Sequence, residues 1–463
     1  MALPLHTRPR TPEPIHKQEA MPADPAATEA LLAVAASGET SPLPPFDGAD
    51  LSMAALGGRV HHAVWWDAAL GGVRLAGKNL AGASLRRANL SGADLTSANL
   101  AGAACGGILL RRARLEEADL RGADLIGSIL TEADAGEANF SDTLLEDADL
   151  RGARLRFANF SGAVMDGADF SDSDLWGANL AEAAAERASF RHARLDETQL
   201  RGADFTAADL TGASLRRADL TGTRLRRANL RDAVLEGCEL AGADLTGAVL
   251  PHVSLTGCDL RHARFSGAWL ERTRMRASQL GGAIGEEVAH EFEAAREGYI
   301  VLEQNFRTLG LGDDASWAFR RRRRMGKRLH AQHAATALHE RDFMAAIRPA
   351  LRWLGDIAAE WVCDYGESIA RVLRALLVVL FCFAGIYWLT GCLEPREGVA
   401  AGGRSATIDY LLFSLDSMTT VGTSEVGLRP NGQFGVVLSG MQTVLGVVLL
   451  GLLGFVLGAR TRN

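Results

Sequence analysis

Ala83-Ser-Leu-Arg-Arg-Ala-Asn-Leu-Ser-Gly-Ala-Asp-Leu-Thr-Ser-Ala-Asn-Leu100 repeats a pattern every five residues. A large apolar residue stands at Leu85, Leu90, Leu95 and Leu100, and an alanine precedes each by two places, at Ala83, Ala88, Ala93 and Ala98. The residue between is often Asn or Asp, as at Asn89, Asp94 and Asn99. Followed outward, the register holds from Leu70 to Leu280 without a slip. Of its 43 positions, 32 are Leu, six are Phe and two are Met; the exceptions are Cys105, Ala135 and Ala185.

A helix repeats at about 3.6 residues and a strand at about 2, so a sustained period of five fits neither. It fits a square solenoid in which each pentad forms one face and turns a corner. The large residue and the small one two places earlier point inward, and the other three face solvent. This A-(D/N)-L-x-x pattern resembles the pentapeptide-repeat family, whose fold is a right-handed quadrilateral β-helix. The resemblance implies coils of about 20 residues, about 10 or 11 of them over residues 70–284, and a rod about 50 Å long. Cys238 and Cys258 should then stack in adjacent coils, about 4.8 Å apart. The six cysteines (105, 238, 258, 363, 382 and 392) form no CxxC pair and read as reduced thiols.

Ahead of the rod, Phe46, Leu51 and Leu56 keep a five-residue spacing in another phase, lost near His61-His-Ala-Val-Trp-Trp66. Residues 46–69 read as an N-terminal cap, because a solenoid end needs covering; the alternative is a ligand site at the His and Trp pairs. Residues 1–45 hold 9 of the 13 prolines and no secretory signal, and read as a disordered or loosely tethered segment.

The formal charge of −7, from 49 basic and 56 acidic residues, is modest for this length. Some pentapeptide-repeat proteins inhibit topoisomerases by imitating DNA, with acidic rods. Residues 71–280 carry 26 Lys/Arg against 29 Asp/Glu, a mixed surface that argues against that role. A structural spacer or docking rod for an unknown cytoplasmic partner or ligand is the plainer expectation. No catalytic constellation, cofactor motif or metal-ligand spacing stands out, so the expectation is not an enzyme.

The period stops at Gly281-Gly282. Apolar residues then recur at helical spacing through Val288, Phe292, Ala295, Tyr299, Leu302 and Phe306. With a turn at 309–314 and a second helix from near Ala315, residues 285–335 resemble one tetratricopeptide-type hairpin, which alone needs a partner surface such as the rod end. Arg320, Arg321, Arg322, Arg323 and Arg324 are consecutive. They bind anionic lipid headgroups, or form a solvated face paired with neighbouring acids, or bind nucleic acid; the partners expected for the chain include membrane lipids but no nucleic acid. Residues 336–371 carry an amphipathic pattern broken by Pro349, with Trp353, Trp361 and Tyr365. They read as juxtamembrane helices lying on the bilayer, or as an ordinary soluble helix.

Two charge-free stretches follow, Ala375–Leu393 of 19 residues and Gln433–Ala459 of 27. Each is long enough to cross a hydrocarbon core of about 30 Å. Between them lies Ser414-Leu-Asp-Ser-Met-Thr-Thr-Val-Gly-Thr-Ser-Glu425. Residues 372–459 resemble the two-transmembrane pore module of potassium channels. The resemblance implies transmembrane helices over 372–393 and 433–459, with a re-entrant pore helix and selectivity filter over 407–432. Thr419, Thr420, Val421 and Gly422 match the start of the filter, where the family continues Tyr-Gly-Asp; here Thr423-Ser424-Glu425 follow. Backbone carbonyls of Thr420, Val421 and Gly422 would hold a monovalent cation, and four chains would close the ring as a homotetramer. Asp416 would support the filter, bridging to Glu425 or standing separately. Gly446 lies where the family often bends, as a gate hinge or for close packing. Arg371, Arg374, Arg460 and Arg462 flank the spans, which implies a cytoplasmic (inner) membrane protein with both termini cytoplasmic.

The expected chain is therefore multidomain: a β-helix, an α-helical connector and an α-helical pore domain. The leading expectation is a cation channel passing potassium and/or sodium. Thr423 and Ser424 remove the Tyr and Gly that hold the family's outer sites, which implies weak selectivity. A potassium-selective channel and a membrane-anchored scaffold with a closed pore are the alternatives.

Overall fold

The computed structural model describes residues 70–395, 406–419 and 428–460. The cap expected over 46–69 and the filter segment Thr420–Glu425 lie outside the described residues. The chain divides into two compact units, Met1–Arg224 and Leu225–Asn463.

In the first unit each pentad is a tight turn followed by one bridging residue. The Val73 amide donates to the Leu70 carbonyl at 3.2 Å, and Gly72 takes φ +66°, the left-handed third position that a type II turn demands. The same register puts Arg87 at +57° and Phe157 at +59°, where a Cβ makes the conformation costly. Leu75 then donates to the Asp94 carbonyl at 2.7 Å, and Asp94 donates back to Val73 at 2.8 Å. Parallel bridges Arg74↔Asp94, Asn79↔Asn99, Ser84↔Ala104 and Asn89↔Leu109 join each pentad to its counterpart one coil on. A coil is therefore four pentads. Backbone groups that would be orphaned in so short a strand are paired through the stack.

The interior is the large-and-small register itself: Leu85, Ala88, Leu90, Ala93 and Leu95 are fully buried. Phenylalanines one coil apart stack face to face, Phe140 on Phe160 at 4.7 Å and Phe170 on Phe190 at 4.8 Å. Where Ser or Thr takes the small inward place, its hydroxyl bonds back to the turn carbonyl: Ser173 to Phe170 at 2.6 Å and Thr198 to Leu195 at 2.7 Å. The Asp/Asn position has a task that its solvent-facing place does not suggest. Asn89 Oδ1 accepts from the Ser91 amide at 3.1 Å and Asp94 Oδ1 from the Thr96 amide at 3.2 Å. Each such side chain braces the corner that follows it.

The second unit opens with the same coils. Asn229↔Val249 and Glu239↔Asp259 are parallel bridges. Cys238 and Cys258 occupy equivalent inward places in successive coils, where Asp259 donates to the Cys238 carbonyl at 3.1 Å. Both cysteines are buried and neither is in a disulfide, and Cys258 Sγ donates to the Leu235 carbonyl at 2.8 Å.

After a 3-10 turn at Ala277–Leu280, helices α1 (Gly285–Val288), α2 (Phe292–Thr308), α3 (Gly312–His339) and α4 (Phe343–Cys363) follow. Pro349 lies inside α4 without ending it, although it removes one donor from the helix ladder; the pattern change at Pro349 marks no helix boundary. Then come α5 (Ile369–Thr390), β1 (Leu393–Pro395), α6 (Ala406–Thr419), β2 (Leu428–Pro430) and α7 (Gly432–Arg460). β1 and β2 pair antiparallel, Glu394 opposite Arg429, with a 2.7 Å ion pair between them. That ribbon ties the end of α5 to the start of α7. Two helices, Ile369–Thr390 and Gly432–Gly458, are long and apolar enough to cross a membrane.

Candidate functional site

The last coil ends on an edge that side chains close. Within the coils Leu245 donates to the Arg264 carbonyl at 3.0 Å. At the edge, the Phe265 and Ser266 amides instead donate to Glu286 Oε1, both at 2.7 Å. Asn305 of α2 accepts from the Thr273 amide at 3.1 Å and donates to its carbonyl at 2.8 Å. A carboxylate and an amide thus stand in for the missing next coil, the usual need of a sheet edge. Burial raises the Glu286 carboxyl above its ordinary range, against the pull of the amides it accepts from and of Arg264.

The arginine run lies on α3, where five successive residues point around the whole helix. Arg321 meets Glu287 at 2.9 Å and Arg328, two turns on, meets the same carboxylate at 3.4 Å. Tyr299 donates to that carboxylate at 2.6 Å, and burial together with Glu287 pushes the Tyr299 hydroxyl pKa up. Arg322 faces Glu303 of α2 at 3.1 Å. On the other side Arg323 meets Asp356 at 3.0 Å, shared with His330 at 3.0 Å. Arg324 meets Glu360 at 3.1 Å, joined there by Lys327. Arg320 lies 3.9 Å from Asp364 and 4.0 Å from Glu367. Every arginine of the run therefore has an acid partner inside this unit, the pairing that the solvated-face reading requires. The acids are far off in sequence, which is why the run alone does not reveal them.

One of those acids, Asp364, lies at the entry to α5. Asp364 and Tyr365 are consecutive non-glycine residues with left-handed φ of +49° and +60°, a strained turn that persists only where its surroundings fix it. Asp364 is reached by Arg371 at 3.4 Å as well as by Arg320 and Arg324. The Arg323 guanidinium lies 5.0 Å from the Tyr365 ring centre. Arg371 also donates to the Glu360 carbonyl at 2.6 Å, and Arg374 to that of Trp361 at 3.1 Å.

α6 has 14 residues, a length of roughly 21 Å at the rise of an α-helix, short of a bilayer core. It packs against both α5 and α7. Ser414, Gln442 and Tyr387 are fully buried where the three helices meet. The Tyr387 hydroxyl donates to Gln442 Oε1 at 2.8 Å. Gln442 Nε2 donates to the Ser414 carbonyl at 2.9 Å and to its hydroxyl at 2.5 Å, and that hydroxyl donates to the Leu380 carbonyl at 2.8 Å. Around this node Tyr387 and Phe413 meet edge to face at 5.2 Å, and Met418 packs with Leu376, Leu449 and Val456. A Cβ at Gly446 would collide with the Met418 carbonyl and lie 2.6 Å from its Cγ, so this glycine is where α7 closes onto α6. Thr419 is the last residue of α6, its hydroxyl donating to the Leu415 carbonyl at 2.9 Å. Asp416 is half-buried on the same helix. Thr420, Val421, Gly422, Thr423, Ser424 and Glu425 lie outside the described residues.

A pentad β-solenoid continued by helices, two of them of membrane-spanning length, is the class these observations define. The family model for pentapeptide repeats matches residues 67–102, 108–147, 138–177, 168–206, 198–237 and 238–276, and over that stretch the chain is a pentapeptide-repeat protein. HetL, a pentapeptide repeat protein involved in heterocyst differentiation regulation from the cyanobacterium Nostoc, is similar at 31% identity over 44% of this chain and 85% of its own, with a TM-score of 0.29. Full-length QnrB1, a plasmid-mediated fluoroquinolone resistance protein, is similar at 21% identity over 35% of this chain and 87% of its own, with a TM-score of 0.30. Among curated proteins none matches.

Proposed function

We propose that the chain is one subunit of a homotetrameric cation channel in the cytoplasmic membrane, with its repeat domain and both termini on the cytoplasmic side. The observation that carries this reading is α6: a helix too short to span, packed between two helices of spanning length. In a bilayer such a helix survives only where protein or a water-filled cavity surrounds it. Its last residue, Thr419, runs straight into Thr420-Val421-Gly422, whose carbonyls would replace an ion's hydration shell. Four copies are needed to ring an ion. Thr423 and Ser424 cannot rebuild the outer filter sites that a Tyr-Gly pair would, so potassium and sodium both pass. Lipids surround the exposed apolar faces of α5 and α7. The repeat domain, closed by Glu286 and Asn305 and continued through the arginine pairs to Asp364, is the arm on which a cytoplasmic partner or ligand would act.

The test is assembly. The mass of the full chain in detergent, measured by light scattering, should be that of four subunits; a monodisperse monomer or dimer in a state competent for flux would refute the reading.

A further inference from the structure

We infer that Gln442 is the positioning residue of the proposed pore, fixing α6 against both apolar helices through Ser414 and Tyr387. This rests on the channel reading for its functional consequence but not for its structural one.

Gln442 lies within a 27-residue charge-free stretch, where a buried amide is costly unless its donors and acceptor are used. Its oxygen takes the Tyr387 hydroxyl from α5 at 2.8 Å. Its nitrogen reaches both oxygens of Ser414 on α6, at 2.9 Å and 2.5 Å. Ser414 returns to α5 at the Leu380 carbonyl, 2.8 Å away. One side chain therefore joins three helices through directional bonds, and none of the three participants has any exposed surface. Apolar contacts alone hold helices together in lipid without choosing their depth or rotation; hydrogen bonds choose both. Ser414 is five residues before Thr419, so the node is more than one helical turn from the end of α6. A change of register at the node moves the point from which the filter segment departs. Gly446, one turn beyond Gln442 on α7, sits against Met418 with no room for a side chain. The node and this contact together leave α6 a single seat.

A structural role and a positioning role separate in the variants. Gln442→Leu alone strands the Tyr387 hydroxyl in an apolar interior, while the Ser414 hydroxyl keeps the Leu380 carbonyl, and it is expected to lower yield. The triple variant Tyr387→Phe, Ser414→Ala, Gln442→Leu removes all partners together, leaving no orphan, and is expected to assemble as the unsubstituted chain does. The full chain and the triple variant are compared in lipid nanodiscs by hydrogen exchange over residues 410–418, and in bilayers by reversal potential under opposed potassium and sodium. The expected result is tetramer retained, exchange in α6 faster by at least about tenfold, and a shifted reversal potential. Equal exchange in the two proteins would overturn the inference, whatever the currents do. Faster exchange with an unshifted reversal potential would overturn the functional part, leaving α6 positioning without consequence for permeation. If neither protein conducts, the channel reading fails, and the exchange comparison alone decides whether Gln442 seats α6.

Discussion

The pentad coils and the three apolar helices stabilise themselves by opposite means. In the coils the partner of each group is set by the period: Leu75 bonds the coil above as Leu80 and Leu85 do, and the Phe140–Phe160 stack recurs as Phe170–Phe190. In α5–α7 little of the surface is internal. Leu389, Phe434, Val444 and Phe455 each expose at least 60% of their surface, and specificity is concentrated in one amide node. A repeat distributes its stability over nearest neighbours; the apolar helices leave most of their surface exposed, which in the proposed channel lipid and other copies would cover. Changes in the first region should therefore be large, local and independent of assembly, whereas changes in the second should be read through it.

The largest expected effect is in the coils. Phe160→Ala should remove about 3–5 kcal/mol, because the ring is fully buried and stacks on Phe140. Chemical denaturation followed by circular dichroism checks this, and proteolysis should place the loosening in neighbouring coils rather than in the helices. An effect that spreads at once to α5–α7 would break the comparison.

Next is the junction. Glu287→Ala leaves Tyr299, Arg321 and Arg328 without their shared carboxylate. The expected loss is about 2–3 kcal/mol, since a buried acceptor of charged donors is removed. Hydrogen exchange in α2 and α3 should rise while that in the coils does not.

Smallest is an opposed pH response at the two ends of the connector. Burial of Glu360 works against its charge, but Lys327 and Arg324 outweigh it and hold the carboxyl below its ordinary 4.5. Its contribution is full above that value and fades as pH falls through the lowered one. Glu286 is raised instead, so its contribution is full below 4.5 and fades as pH rises through the raised value. Acidification should loosen α4 while stabilising α1, where it relieves the burial of the Glu286 charge, read by hydrogen exchange corrected for intrinsic rate. Parallel loosening of both would contradict the assignment.

These differences also explain what could be read from sequence. The inward register was legible because a fixed period repeats its own evidence at Leu85, Leu90 and Leu95. The left-handed corner was equally periodic, at Gly72, Gly77 and Gly82, and a count of glycine by register would have found it. The acids that pair with the arginine run were not legible: Glu287 lies 34 residues from Arg321 and Asp356 lies 33 from Arg323, and no local pattern links them. Gln442 offered a weaker signal, an amide inside a charge-free stretch, but its partner Ser414 is 28 residues away across a helix junction. The lengths of α5 and α7 were set by hydropathy alone, while the packing of α6 between them needed the tertiary structure.

The most direct measurement is a planar-bilayer recording of the purified full chain, with potassium chloride on one side and sodium chloride on the other. The proposed channel should give cation currents that reverse close to zero, because an inner filter of Thr420, Val421 and Gly422 lacking the outer sites would pass both ions. A silent, correctly assembled tetramer would contradict the channel itself, and a reversal at the potassium equilibrium potential would contradict its weak selectivity.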